Sequence, residues 1–139
     1  MTTPTGLLVL SLPIADRKNA MDFYLDAFGF ELVGEPAEDG VPEPLRFRLN
    51  DQVLLMLVPA GGFGWVLGDG REVARPGTSE CLLSMAVPTE DHVARVMDRA
   101  TVAGGEVVTA PQRHPWGFSA VCADLDGHLW QIIVEPTDA

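Results

Sequence analysis

The chain has 139 residues, 47% of them hydrophobic, enough to build one domain around a real core and too apolar for disorder. Nine Lys and Arg against 20 Asp and Glu give a net charge of −11, and the few basic residues form no stripe, which argues against a nucleic-acid binder. No apolar run approaches the roughly 20 residues of a membrane helix, so a membrane is not an expected partner either. The opening Met-Thr-Thr-Pro-Thr-Gly has no basic flank and no cleavage pattern, and a cytoplasmic protein is the expectation.

In chain order, Leu8–Ile14 reads as a strand with Leu8, Leu10, Leu12 and Ile14 on one face. Asp16 can cap a helix carrying Ala20, Phe23, Tyr24, Ala27 and Phe28 at helical spacing, and Gly29 ends it. Residues 30–33 form a short strand, and a loop rich in Pro and acid spans 34–44. Residues 45–49 and 53–58 make a hairpin turning at Asn50-Asp51. The Gly-rich stretch 59–80 is read as a linker, with a flap carrying Phe63 or Trp65 as the alternative. Gly61-Gly62-Phe63-Gly64-Trp65 is no phosphate loop, because it lacks the Gly-Lys-Ser/Thr ending and no helix pattern follows.

The second half runs through the same order. Residues 81–87 form a strand. Thr89 caps a helix with Val93, Val96, Met97 and Ala100 as its apolar stripe, and Gly104-Gly105 ends it. Residues 106–109 are a short strand, and 118–123 pairs with 128–135 through the Asp126-Gly127 turn. Ile14 and Val87 correspond at a spacing of 73, Gly29 and Gly104 at 75, Asp51 and Gly127 at 76. A shared order of elements at nearly constant spacing marks an internal repeat. The expected organisation is a first βαβββ module at 6–58, the linker at 59–80 and a second module at 81–136. Cys81 and Cys122 each lie in an apolar run and are expected to be buried, inert thiols.

Two stretches resemble a known superfamily. Asp22-Phe23-Tyr24-Leu25-Asp26-Ala27-Phe28-Gly29-Phe30 is similar to the helix end, and Asp124-Leu125-Asp126-Gly127-His128-Leu129-Trp130-Gln131 to the closing hairpin, of the glyoxalase, bleomycin-resistance and extradiol dioxygenase group, the vicinal oxygen chelate superfamily. The resemblance implies an α+β fold in which two βαβββ modules form U-shaped mixed sheets with helices on the outer face, often in homodimers. It also implies a divalent metal on the inner face. The corresponding positions here are Val9, Leu55 or Met56, Leu82 and Gln131. Three of these are apolar, and one neutral amide among hydrocarbons does not hold a divalent ion against its hydration, so no metal and no cofactor are expected. His92 and His128 are read as surface and rim residues. His114, in a loop, is the best candidate for a polar contact or proton transfer.

Alternation from Gln131 puts Leu129, Ile133 and Glu135 on the ligand face, with Val9 and Ser11 on the first strand and Leu82 and Ser84 on the corresponding one. Phe47 is preferred to Arg46 and Arg48 as the inward residue of its strand, because two inward arginines would each need a partner. The candidate ligand-binding set is Phe47, Met56, Trp65, His114, Trp116, Phe118, Gln131 and Glu135. One reading is a metal-independent protein that binds a small organic molecule and sequesters a drug or metabolite. Its acidic surface and Trp65, Trp116 and Trp130 would suit a cationic ligand. The alternative is a lactoylglutathione-lyase-like or other lyase or isomerase, with Glu135 or His114 as base and no electrophilic metal to assist it.

Overall fold

The computed structural model describes residues 6–136. Its strands are β1 (Leu8–Ile14), β2 (Glu31–Val33), β3 (Leu45–Asn50), β4 (Val53–Pro59), β5 (Leu82–Val87), β6 (Glu106–His114), β7 (Gly117–Ala123) and β8 (Leu129–Val134). The helices are α1 (Arg17–Ala27), α2 (Ala60–Leu67) and α3 (Glu90–Val102). They build two four-stranded mixed sheets, ordered β1-β4-β3-β2 and β5-β8-β7-β6, each with one parallel pair formed by its first and last strands. The fold is α+β and consists of two βαβββ modules. The chain divides into two units: one holds the chain up to Met21 and Gly29–Val73, the other Asp22–Phe28 and the chain from Ala74 onward.

In the first unit, Phe47 stands opposite Leu55 and Leu45 opposite Leu57, and Leu55 and Leu57 face Leu10 and Leu12 on β1. Directly paired residues share a face, so these side chains form one apolar layer, with Leu45, Phe47, Leu55, Leu57 and Ile14 fully buried. Asp16 accepts from the backbone N–H of Asn19 at 2.8 Å and caps α1. Arg17 bridges to Asp39 and Glu43 and donates to the carbonyls of Val41 and Pro42, tying the 34–44 loop to the start of α1.

The second unit buries Trp130 and Ile132 of β8 with Ala120 and Cys122 of β7 under Val93, Val96, Met97 and Ala100 of α3. The second half of α1 belongs to this unit. Its Phe28 and Tyr24 rings lie 5.2 and 5.9 Å from Trp130. Thr89 accepts from the His92 N–H and caps α3. The Tyr24 hydroxyl donates to Asp124 Oδ2 at 2.5 Å and accepts from Trp130 Nε1 at 3.0 Å. Asp124 Oδ1 accepts from the N–H groups of Asp126 and His128, holding the turn between β7 and β8. Gly127 has φ +87 there, and an added Cβ would meet Gly77 N at 2.8 Å.

Three expectations change. The stretch 59–80 contains α2, a helix that three glycines conceal in a propensity reading, since each costs about 1 kcal/mol against Ala. Gly64 earns its place by close approach, its Cβ position lying 3.2 Å from Val73 Cγ2. The 106–109 strand continues to His114, so that residue ends a strand instead of sitting in a loop. Pro111 is tolerated inside it because β6 is an edge strand with two register shifts. Cys122 is buried as expected, but Cys81 is exposed just before β5.

Candidate functional site

Each sheet has a core face and a more accessible face, and strand pairing assigns the candidate residues that lie on strands to one of them. In the second sheet a row of direct partners runs Ser84, Gln131, Val121, Thr109 across β5, β8, β7 and β6. Leu82 and Leu129 pair one step along on the same face, as do Ala86, Ile133, Ser119 and Gln112 on the other side of the row. Ser84 Oγ donates to Gln131 Oε1 at 3.1 Å, so the amide is oriented before any ligand arrives. His114 pairs with Gly117, which keeps it on this face, and its ring stacks on Trp116 at 4.4 Å and 4°. Trp116 itself is 62% exposed in the turn between β6 and β7.

Phe118 does not join them. It alternates with Ser119 and shares its face with Ala120 and Cys122, the helix side. Its place in the candidate set is therefore corrected, because the alternation that sets Val121 beside Gln131 turns Phe118 to the opposite face. Glu135 follows β8, with its N–H bonded to the Val87 carbonyl at 2.7 Å, and its side chain is exposed. Trp130 is buried against Tyr24 and Phe28 and offers a ligand nothing.

In the first sheet the corresponding row runs Ser11, Met56, Arg46, Val33 across β1, β4, β3 and β2. Met56 thus lies on the accessible face, and Leu55, the other option for the metal ligand on this strand, faces the core. Phe47 does not share that face. It is 0% exposed in the apolar layer, and Arg46 and Arg48 take the accessible side. Core burial of an aromatic ring outweighed the cost of placing two arginines here. Arg48 meets that cost with Glu31 at 3.3 Å, whereas Arg46 Nε is buried without a hydrogen-bond partner. Trp65 stands on α2, 85% exposed.

The metal implied by the resemblance does not fit these residues. The first unit offers Val9 and Met56, the second Leu82 and Gln131, and the Gln131 oxygen already accepts from Ser84. A thioether and an amide are weak donors for a hard or borderline dication. Among the described residues no three His, Cys, Asp or Glu side chains group together. Val121 and Thr109 are absent from the sequence candidates, and Arg46 is set aside there in favour of Phe47. The row-by-row correspondence between modules is the signal that finds them: Met56 answers Gln131, Arg46 answers Val121, and both pairs are 75 residues apart.

Repeated βαβββ modules with a small polar cluster on each accessible sheet face define a chelate-type scaffold, here without its chelating side chains. A family model describing the Glyoxalase/Bleomycin resistance protein/Dioxygenase superfamily matches residues 6–132, and the chain belongs to that superfamily. Among solved structures, a glyoxalase-related enzyme from Fulvimarina pelagi is 25% identical, with a TM-score of 0.80, over 98% of this chain and 94% of that one. A glyoxalase/bleomycin resistance protein/dioxygenase family enzyme from Burkholderia phytofirmans PsJN is 18% identical, with a TM-score of 0.75, over 94% and 98%. TnmS3, an antibiotic binding protein from Streptomyces sp. CB03234, is 20% identical, with a TM-score of 0.64, over 98% and 100%. No curated protein matches the chain. No helix among the described residues is long and apolar enough to cross a membrane.

Proposed function

We propose that this chain is a metal-independent small-molecule binding protein that sequesters a drug or metabolite, working as a cytoplasmic homodimer. The observation that carries the reading is the donor set. The positions that hold a metal in enzymes of the superfamily are Val9, Met56, Leu82 and Gln131, surrounded by apolar and hydroxyl side chains. Such a surface suits desolvation of an organic molecule with a few directed hydrogen bonds, and lacks an electrophile for enediolate chemistry. The antibiotic-binding neighbour on the same fold supports the same direction. Self-association is supported by the edge strands, which leave Leu8 and Leu82 at least half exposed.

The test is a thermal-shift screen of antibiotics and apolar metabolites in EDTA-containing buffer, run beside lactoylglutathione lyase assays with Ni²⁺ and Zn²⁺. Stabilisation by an organic compound in EDTA, with no lyase turnover under either metal, is the expected result. Metal-dependent turnover with no organic ligand in EDTA would establish the enzyme reading instead.

A further inference from the structure

Net charge points toward cationic ligands, but the accessible face of the first sheet has the opposite local sign. Its ionisable side chains on the paired strands are Glu31, Arg46 and Arg48, and Glu31 is engaged with Arg48. Elsewhere the protein matches its less exposed arginines with acids: Arg17 has Asp39 and Glu43. Arg46 is half-buried, and its Nε is shielded from solvent with no hydrogen-bond partner, in a chain where Asp and Glu outnumber Lys and Arg 20 to nine. A guanidinium N–H that loses water without gaining an acceptor raises the free energy of the folded protein. Such a cost is retained where a ligand supplies the missing acceptor.

The neighbours define that ligand. Val33 and Met56 flank Arg46 directly, and Ser11 lies beyond Met56 in the same row. Leu54, opposite Arg48, is buried and closes the row's neighbourhood on that side instead of offering surface. The guanidinium reaches toward the end of β2, where Nη2 would lie 3.8 Å from a Cβ at Gly34. From β3 to β1 is two strand spacings, about 9.5 Å, the length of a fused two-ring body with a substituent.

We propose that Arg46 anchors the anionic head group of an amphipathic ligand whose apolar body lies across Met56 toward Ser11. This rests on the small-molecule binding reading and narrows its ligand class. The planar guanidinium offers a fork of N–H donors to a carboxylate, sulfonate or phosphate, and the desolvated setting strengthens that pairing.

The experiment titrates two dyes against the intact protein: 8-anilinonaphthalene-1-sulfonate, which is anionic, and Nile red, which is neutral. Wild type, Arg46→Met, Arg46→Lys and a control on α3, Arg95→Met, are compared. The sulfonate dye is expected to bind Arg46→Met at least 10-fold more weakly and Arg46→Lys about 3-fold more weakly, with Arg95→Met unchanged. Nile red affinity should be the same in all four, and Arg46→Met should melt no lower than wild type. Unchanged sulfonate binding in Arg46→Met, or an equal loss in Arg95→Met, would overturn the proposal. So would a lower melting temperature with loss of both dyes, which makes Arg46 a packing residue. Failure of both dyes on the wild type would sink the binding reading itself, a result separable from loss of the anionic dye alone.

Discussion

Replacing Tyr24 with Phe isolates one oxygen atom at the junction of the two stretches that carry the family resemblance. The ring stays, and with it the packing against Phe23, Phe28 and Trp130. What goes is the hydroxyl that donates to Asp124 and accepts from Trp130 Nε1. Tyr24 is 1% exposed and Asp124 6%, so water does not replace these bonds freely. A hydrogen bond to a charged group contributes about 1.5–3 kcal/mol, and a buried donor losing its acceptor adds to the loss. Together they set an expected destabilisation of about 2–4 kcal/mol, or a fall in Tm on the order of 10 °C. Urea denaturation at neutral pH measures it, with an unchanged m-value confirming that the native state is otherwise intact. A cycle with Asp124→Asn should return a coupling of at least about 1 kcal/mol. The pH profile gives a second readout. Burial, reinforced by the Asp124 charge, holds the Tyr24 phenol well above its ordinary value. A group whose folded pKa is raised contributes stability that is complete below its unfolded value, about 10, and lost as pH rises toward the folded one. Tyr24→Phe should therefore remove part of the alkaline decline. A loss below about 0.5 kcal/mol with no coupling would refute the idea that this junction holds the second unit together.

Cys122 offers a related test, since burial first and the Asp124 charge second push its thiol up to about 11. Cys122→Ala should remove a decline in stability that begins near pH 9 and runs toward 11, measured by denaturation across that range. A thiol-reactive chromogen on the native protein should label Cys81 rapidly and Cys122 only on unfolding, as read by peptide mapping. Paired substitutions Ser84→His and Gln131→His place two imidazoles on directly opposed residues. They should create a Zn²⁺ or Ni²⁺ site that stabilises by about 2.7 kcal/mol at 100 times its Kd, as read by thermal shift. Absence of any metal effect would mean the β5–β8 register is different. Arg17→Met should free the 34–44 loop for proteolysis, as measured by cleavage-site mapping. Asp39, held below its ordinary pKa by the Val41 N–H first and by Arg17, contributes stability present at neutral pH and lost as pH falls through its lowered value. That acid limb should shrink in the same variant.

The repeat was legible because it is written in periodicity. Leu8, Leu10, Leu12 and Ile14, and the Val93–Ala100 stripe of α3, fall in the structure where the alternation and the helical spacing placed them. Caps at Asp16 and Thr89 were legible for a similar reason, since a short oxygen-bearing side chain before an apolar helix has a specific local use. α2 was hidden because helix propensity weighs Gly61, Gly62 and Gly64 against it, and tertiary contact decides. The face of β3 was misread for a subtler reason. Leu45, Phe47 and Leu49 alternate with Arg46 and Arg48, so the strand's two faces were plain, but not which of them met the core. The cost of two arginines on that face is met for Arg48 by Glu31, while Arg46 Nε has no hydrogen-bond partner.

The two rows show where the modules match and where they differ. Ser11 and Ser84 stand at matching places beside Met56 and Gln131, so each sheet sets one hydroxyl next to the corresponding last-strand position. From there the modules part. The second row continues to Val121 and Thr109, and its amide is satisfied internally by Ser84. The first continues to Arg46 and Val33, and the Arg46 Nε there has no hydrogen-bond partner. A row that has settled its own hydrogen bonds presents shape and a preset dipole. A row holding a buried guanidinium N–H with no acceptor presents a demand that a ligand's acceptor can meet. If the protein binds a small molecule, the energetic asymmetry between these rows makes Arg46 the position where charge on that molecule is read, and makes Gln131 a determinant of orientation whose removal should change selectivity more than affinity.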